Sequence, residues 1–194
     1  KENKKFQSTV EKAKELFWKH GIRRVSIEEI CAKTPISKMT FYKFFKNKKV
    51  LAEFILEETM KESIAKYEKI MKQNLPFPEK IRQLIVLKHA LTKDISDEFL
   101  KDILQEEEND LRGIVEHYND LSTTLVMRDL KKAQDEGWIR KEINQQFLLY
   151  LLNDLNHKLF DPELQRLYAN KHDLIMAFTN YFFYGIMHKK EEYT

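Results

Sequence analysis

"SIEEICAKTPISKMTFYKFFKNKKVLAEFI", residues 26–55, holds three helix starts and one enforced stop. Ser26 precedes an apolar run with Glu29 three positions on, the spacing of a capping box, and Val25 and Ile30 are placed as the hydrophobic staple around it. Pro35 pushes the residue before it out of helical conformation, so the helix that opens after Ser26 has to end near Thr34. Ser37 then caps a third helix, "KMTFYKFF", and Asn47 a fourth, "KKVLAEFILEETMKESIAKYEKIM". Upstream, in "STVEKAKELFWKHG", Val10, Ala13, Leu16 and Phe17 recur at helical spacing, and Gly21 stands where a left-handed stop is wanted. Two short helices on a tight turn behind a longer one describe a helix-turn-helix unit.

The third helix has two unlike sides. Phe41, Phe44 and Phe45 fall on one side, spaced to pack on the first two helices. Lys38, Met39, Tyr42 and Lys43 fall on the other, and from Ile30 to Ala52 the chain has no acid. A cationic face with a phenol suits phosphate oxygens, while Thr40 and Met39 offer a hydroxyl and an apolar contact to base edges in a major groove. A solvated lysine-rich face with a half-buried tyrosine has the same pattern, so both readings stand on the residues alone. Charge is distributed unevenly: the net is +3, yet residues 1–60 carry 14 Lys or Arg against 8 Asp or Glu, leaving 20 against 23 for the remainder. A positive field on a small folded unit attracts polyanions.

The same run resembles the N-terminal DNA-binding domain of the tetracycline-repressor (TetR) family of bacterial transcription regulators. The resemblance is carried by Ala32 and by a stretch of the form Ser-x-x-Thr-Phe/Leu-Tyr-x-Tyr/His-Phe-x-x-Lys-x-x-Leu, here Ser37, Thr40, Phe41, Tyr42, Phe44, Phe45, Lys48 and Leu51. It reaches back through Ser26, Gly21, Phe17 and Ala13, covering roughly residues 8–55. It implies a helix-turn-helix over about residues 28–47, with Tyr42 and Lys48 holding phosphates and Ser26 capping toward the DNA backbone. The reading surface it implies is Ser37, Lys38, Met39, Thr40, Tyr42 and Lys43. Two positions depart from the pattern: Thr34 and Pro35 replace the usual small residue and glycine of the turn, and Met39 replaces a common glycine.

The expected organisation is all-α: a three-helix DNA-binding domain over 1–50 and a helical effector-binding and dimerisation domain over 51–194, linked by the helix that starts at 48. Beyond it, "PFPEKIRQLIVLKHALTK" opens on Pro78, a favoured first-turn residue, and repeats Ile81, Leu84, Ile85, Leu87 and Leu91. Further helices are predicted over about 97–107, 108–135, 143–160 and 171–189, with Gly137 and "FDPE" (160–163) as breaks. The helices at 143–160 and 171–189 are apolar on more than one side, which calls for cover on both sides. Leu148, Leu152, Leu155, Ile175, Phe182, Gly185 and Ile186 are the candidate dimer interface, although one thick core within the monomer would give the same pattern. Tyr118, Met127, Phe147, Tyr150, Met176, Phe178 and Tyr181 are the candidate lining of an effector pocket, or core filling. By resemblance the chain is a ligand-responsive repressor that binds a palindromic operator as a homodimer; the alternative is a helical ligand- or partner-binding protein with non-specific DNA affinity.

Enzyme classes find little support. Asp154 and His157 have the i, i+3 spacing of half a di-metal helical site, but no other histidine has an acid three residues before it. No nucleotide-binding glycine loop, G-x-S-x-G or H-E-x-x-H occurs, and "QEEEND" (105–110) reads as a solvated helix start. No catalytic residue, metal or cofactor is expected. One cysteine, Cys31, permits no internal disulfide, and the longest apolar run, "FLLYLL" (147–152), is far short of a bilayer span. With no signal-peptide core in "KENKKFQSTV", the expected location is the cytoplasm.

Overall fold

The computed structural model describes residues 2–104, 110–159 and 161–187. Among these the chain forms ten helices and no strand: α1 Glu2–His20, α2 Ile27–Ala32, α3 Lys38–Phe44, α4 Lys48–Met71, α5 Phe77–Thr92, α6 Asp97–Leu104, α7 Asp110–Asp135, α8 Gln145–Lys158, α9 Pro162–Arg166 and α10 Lys171–Ile186. The fold class is all-α, as expected. The "QEEEND" segment lies outside the described residues but for its last position, as do the final residues expected in the last helix. The short α9 was not foreseen; Asp161 caps it, accepting the Glu163 N–H at 2.9 Å, and Pro162 occupies its first turn.

Helix ends follow the local signals. Ser26 Oγ accepts the Glu29 N–H at 3.0 Å, Ser37 Oγ the Thr40 N–H at 3.2 Å, and Asn47 Oδ1 the Val50 N–H at 2.9 Å. Each satisfies one of the amide donors a helix start leaves open. Gly21 and Gly137 adopt φ of 81° and 82°, the left-handed stop that favours glycine. The turn between α2 and α3 contains no positive φ. Its Thr34 hydroxyl instead donates to the Ile30 carbonyl at 2.8 Å, closing the end of α2. Thr34 and Pro35 therefore build this turn without the glycine the resemblance led one to expect.

The chain divides into two compact units, residues 1–63 with 94–118, and residues 64–93 with 119–194. In the first, Ala13, Phe17, Val25, Ile30, Phe41, Leu51 and Ile55 are essentially closed to solvent. Burying an aromatic such as Phe17 or Phe41 stabilises the unit by about 1.5–3 kcal/mol. Phe6 meets Phe44, Phe45 and Phe54 at centroid distances of 5.3–5.5 Å, tying the start of α1 to α3 and α4. The sequence did not signal that α6 packs here too. Phe99 lies 4.2 Å from Trp18, centroid to centroid, and the Ser96 N–H donates to the Trp18 carbonyl at 2.8 Å.

In the second unit, Phe77, Ile81, Leu84, Leu130, Ile139, Leu148, Phe182 and Ile186 form the core. Gln134 organises the turn after α7: its Nε2 donates to the carbonyls of Arg140 and Ile143 at 3.0 and 2.8 Å, and its Oε1 accepts from Gln145 Nε2 at 2.7 Å. Arg140 Nη2 donates to the Gly185 carbonyl at 2.6 Å, fastening that turn to the end of α10. No helix among the described residues is long and apolar enough to cross a membrane.

Candidate nucleic-acid interface

α3 presents the two sides its spacing predicts. Phe41 is fully buried and Phe45 nearly so, whereas Met39 is 73% and Tyr42 55% exposed. Lys43 is exposed, and no ion pair holds it among the described residues. The Tyr42 hydroxyl likewise makes no hydrogen bond among the described residues, though the ring touches Phe41 edge-on at 5.6 Å. Ser37 and Thr40 are coupled, their hydroxyls 3.1 Å apart, so the N-terminal rim of α3 is a pre-ordered hydroxyl pair.

Two lysines of the expected surface are engaged within the protein. Lys38 forms an ion pair with Glu28 across the turn between α2 and α3. This hydrogen bond holds the Glu28 carboxyl below its ordinary pKa and raises that of Lys38. Lys48 is turned inward: its Nζ donates to the backbone carbonyls of Arg23 and Val25 at 2.9 and 2.6 Å. Its burial pushes the ammonium pKa down. Two of its three donors thus clamp the segment before α2. Cys31 beside this surface is partly buried, and burial raises its thiol pKa, so it is no reactive thiolate.

The residues assigned from sequence to the pocket and the dimer face are spread over exposed, half-buried and buried positions. Phe147, Tyr150 and Tyr181 are 55%, 69% and 69% exposed. Leu148, Phe182 and Ile186, expected at a dimer face, are instead closed into the second unit's own core, while Leu152, Leu155 and Ile175 are half-buried and Gly185 is exposed. On α8 the second expected stripe, Leu148 with Leu152, turns inward while Phe147 and Tyr150 stay exposed, and on α10 Phe182 is buried while its neighbour Tyr181 is exposed. Tyr118, Met127, Met176 and Phe178 are half-buried. Tyr118 belongs to the first unit and the other three to the second.

A void does exist within the second unit, lined by Tyr67, Met71, Phe77, Ile81, Leu84, Val126, Asp129, Leu130 and Phe183, none of them among the expected pocket residues. At about 10 Å³ it has room for roughly one water. Its one charged wall is Asp129, whose Oδ2 accepts the Tyr67 hydroxyl at 2.9 Å and whose oxygens accept both Nε and Nη2 of Arg128 at 2.9 and 3.0 Å. Burial, then the neighbouring Asp129 carboxylate, raises the Tyr67 pKa far above the ordinary phenol value. Sequence reading missed this group because Tyr67 and Asp129 stand 62 positions apart. Asp154 and His157, the candidate half metal site, line a wide surface depression of about 750 Å³ together with Lys158, Asp161 and Arg166. No three potential metal-ligating residues converge among the described residues.

Residues 10–54 match the family described as bacterial regulatory proteins, tetR family. No curated protein matches the chain by sequence. Its fold is that of a TetR-family transcriptional regulator from Agrobacterium tumefaciens, at TM-score 0.74 and 14% identity over 97% of this chain and 100% of that one. FadR from Bacillus subtilis, solved in complex with stearoyl-CoA, gives TM-score 0.66 and 16% identity over 94% and 100%. A protein assigned as a transcriptional regulator from Saccharomonospora viridis, solved in complex with choline, gives 0.72 and 15% over 96% and 100%. Such identities establish a shared fold, and the likeness to the tetR family of bacterial regulatory proteins is carried by residues 10–54, from α1 to the start of α4.

Proposed function

We propose that the protein is a repressor that binds a palindromic operator as a cytoplasmic homodimer and is released by a small molecule, without catalysing a reaction or holding a cofactor. The observation that carries the reading is the outer face of α3, where Met39, Tyr42 and Lys43 are exposed on a helix that has no acid. Residues 1–50 are the DNA-binding part and residues 51–194 the effector-binding and dimerisation part. Lys43 and the Tyr42 hydroxyl meet phosphates, and Met39 and Thr40 meet base edges. Ser26 and Ser37 turn their hydroxyls toward the phosphate backbone while capping α2 and α3. Lys38 joins the phosphate contacts once it exchanges Glu28 for DNA. Lys48 holds the segment before α2 in place for the same surface. Two copies related by a two-fold axis set their α3 helices about 34–36 Å apart, one turn of B-DNA.

The void around Tyr67 and Asp129 is the starting point of the effector site. A ligand larger than one water enters it only by displacing Phe77, Phe183 or Leu84, so binding and repacking of the second unit are one event. Stearoyl-CoA and choline, found in two proteins of the same fold, differ so widely that fold alone does not select the ligand. The second unit connects to the DNA-binding part through α4, and a ligand changes DNA affinity by favouring one of two states of that connection.

Selection from a pool of random duplexes at near-physiological salt tests the reading. An enriched inverted repeat with half-sites one helical turn apart is expected. Retention of DNA with no enriched sequence would instead describe a helical ligand- or partner-binding protein with a basic patch, whose affinity is counterion release alone.

A further inference from the structure

In the second unit, His89 on α5 and His172 in the first turn of α10 meet ring to ring. His172 Nε2 lies 3.0 Å from His89 Nδ1, with centroids 4.7 Å apart and planes at 68°. Neither ring belongs to the core: His89 is exposed and His172 half-buried. Thr92 fixes where the hydrogens are. Its hydroxyl donates to the Lys88 carbonyl at 2.9 Å, which uses its one proton, so toward His172 Nδ1 at 2.8 Å it acts as acceptor. His172 Nδ1 therefore carries the hydrogen, and in the neutral ring Nε2 keeps its lone pair, aimed at His89.

We propose that His89 Nδ1 and His172 Nε2 form a two-imidazole binding site for a divalent transition metal ion, with Cu(II) preferred over Ni(II) and Zn(II). Three features carry it. Two imidazole nitrogens bound cis at a tetragonal ion with metal–nitrogen bonds of about 2.0–2.1 Å stand roughly 2.9 Å apart, about a tenth of an ångström from the present contact. An exposed ring on the end of a long helix turns that far without disturbing a core. The chain Lys88 carbonyl, Thr92 hydroxyl, His172 Nδ1–H is the outer-shell arrangement that fixes the tautomer of a metal-binding histidine. The two residues stand 83 positions apart on different helices, so the ion would brace α5 against α10.

Binding replaces the hydrogen between the two nitrogens. With both rings neutral, His89 carries that hydrogen on Nδ1 and shifts it to Nε2, so no net proton is released; a protonated pair releases one proton. Among the described residues no third His, Cys, Asp or Glu joins them, so water completes the coordination. Imidazole pairs follow the order in which Cu(II) exceeds both Ni(II) and Zn(II).

Calorimetric titration of the full chain with CuCl2, combined with electron paramagnetic resonance of the one-equivalent complex, tests the site. One saturable equivalent is expected, with hyperfine structure of two imidazole nitrogens. His89→Gln and His172→Gln, which keep polar side chains at both positions, should each weaken binding at least tenfold, and Thr92→Val about 10–100-fold. His157→Gln, on α8, should change nothing. Absence of saturable binding by the unsubstituted chain, or unchanged affinity in the His89→Gln/His172→Gln double variant, overturns the proposal. The wild-type spectrum decides the matter even where a variant folds poorly.

Discussion

Asp102 on α6 accepts the backbone N–H of Arg23 at 3.0 Å, and its other oxygen lies 3.5 Å from the Arg23 Nε, joining positions 79 residues apart. The same carboxylate stands 2.7 Å from where a Cβ on Gly21 would lie. The turn that follows α1 is thus shaped by two demands at once, a left-handed backbone and close passage of α6. Gly137 has the same φ but open space around it.

Comparison of the two glycines separates these demands. Gly137→Ala adds the left-handed penalty alone, about 1–2 kcal/mol. Gly21→Ala adds that penalty and also displaces a charge-assisted hydrogen bond of about 1.5–3 kcal/mol, for a loss of roughly 2.5–5 kcal/mol. Urea unfolding of both variants measures the difference. Equal losses would mean that Asp102 yields at no cost and that the seat of α6 on this turn is loose.

Lys43 and Lys48 are predicted to part company in a salt titration of DNA binding. Lys43, free among the described residues, should contribute one released counterion, so Lys43→Ala lowers the slope of log K against log salt by about 1. Lys48 gives two donors to the Arg23 and Val25 carbonyls. Lys48→Ala should therefore cost about 1–3 kcal/mol of stability through two carbonyls left without their charged partner, with little change in slope. Fluorescence anisotropy over a range of salt, beside thermal unfolding, reads both. A slope change of about 1 for Lys48→Ala at unchanged stability would restore the phosphate role that the family resemblance implies.

That contrast shows where sequence was legible. Caps and stops are local, and Ser26, Ser37, Asn47 and Gly21 announced α2, α3, α4 and the end of α1 through spacings of three or four residues. The inner and outer sides of α3 were equally readable, because Phe41 and Tyr42 differ in polarity as well as position. α8 and α10 were not, since Phe147 and Leu148, or Tyr181 and Phe182, are neighbours of similar hydrophobicity and only tertiary packing selects which is buried. Lys48 illustrates a different limit: its position was plain, but a carbonyl and a phosphate oxygen offer an ammonium the same chemistry. Tyr67 with Asp129, Arg23 with Asp102 and His89 with His172 are long-range meetings that no periodicity encodes.

The Tyr67 hydroxyl gives a pH-dependent signature. Its pKa is raised in the folded state by burial and by Asp129, so below about pH 10, the ordinary phenol value, both folded and unfolded forms are protonated and its contribution is complete. As pH rises beyond that value the unfolded chain loses the proton and the folded one retains it, so stability falls. Tyr67→Phe should cost about 1.5–3 kcal/mol at neutral pH, the worth of a hydrogen bond to a charged group. The gap between wild type and variant should then narrow above pH 10. Denaturant unfolding from pH 7 to 11 checks this, and a gap independent of pH would show that Tyr67 ionises as readily in the fold as out of it.

For the homodimer proposed above, the exposed aromatic faces of α8 and α10 offer a contact that can be tested. Phe147 and Tyr150 on one, and Tyr181 and Tyr184 on the other, are each more than half exposed, and aromatic side chains left in water are typical anchors of protein contacts. Gly185 beside Tyr184 has open space around it, which lets another backbone approach. Tyr150→Glu with Tyr181→Glu places charges on these faces without touching a buried side chain. The expected outcome in analytical ultracentrifugation is a shift from dimer to monomer with helical content intact, and a loss of affinity for an inverted repeat that exceeds the loss for a single half-site, because the link between two half-sites is what is broken. Leu148→Ala is the contrasting substitution: Leu148 is closed into the core of its own unit, so its loss should cost about 2–5 kcal/mol of stability. Should the Tyr150/Tyr181 variant stay dimeric while Leu148→Ala dissociates without unfolding, the buried stripe first expected from the sequence would be the dimer face after all.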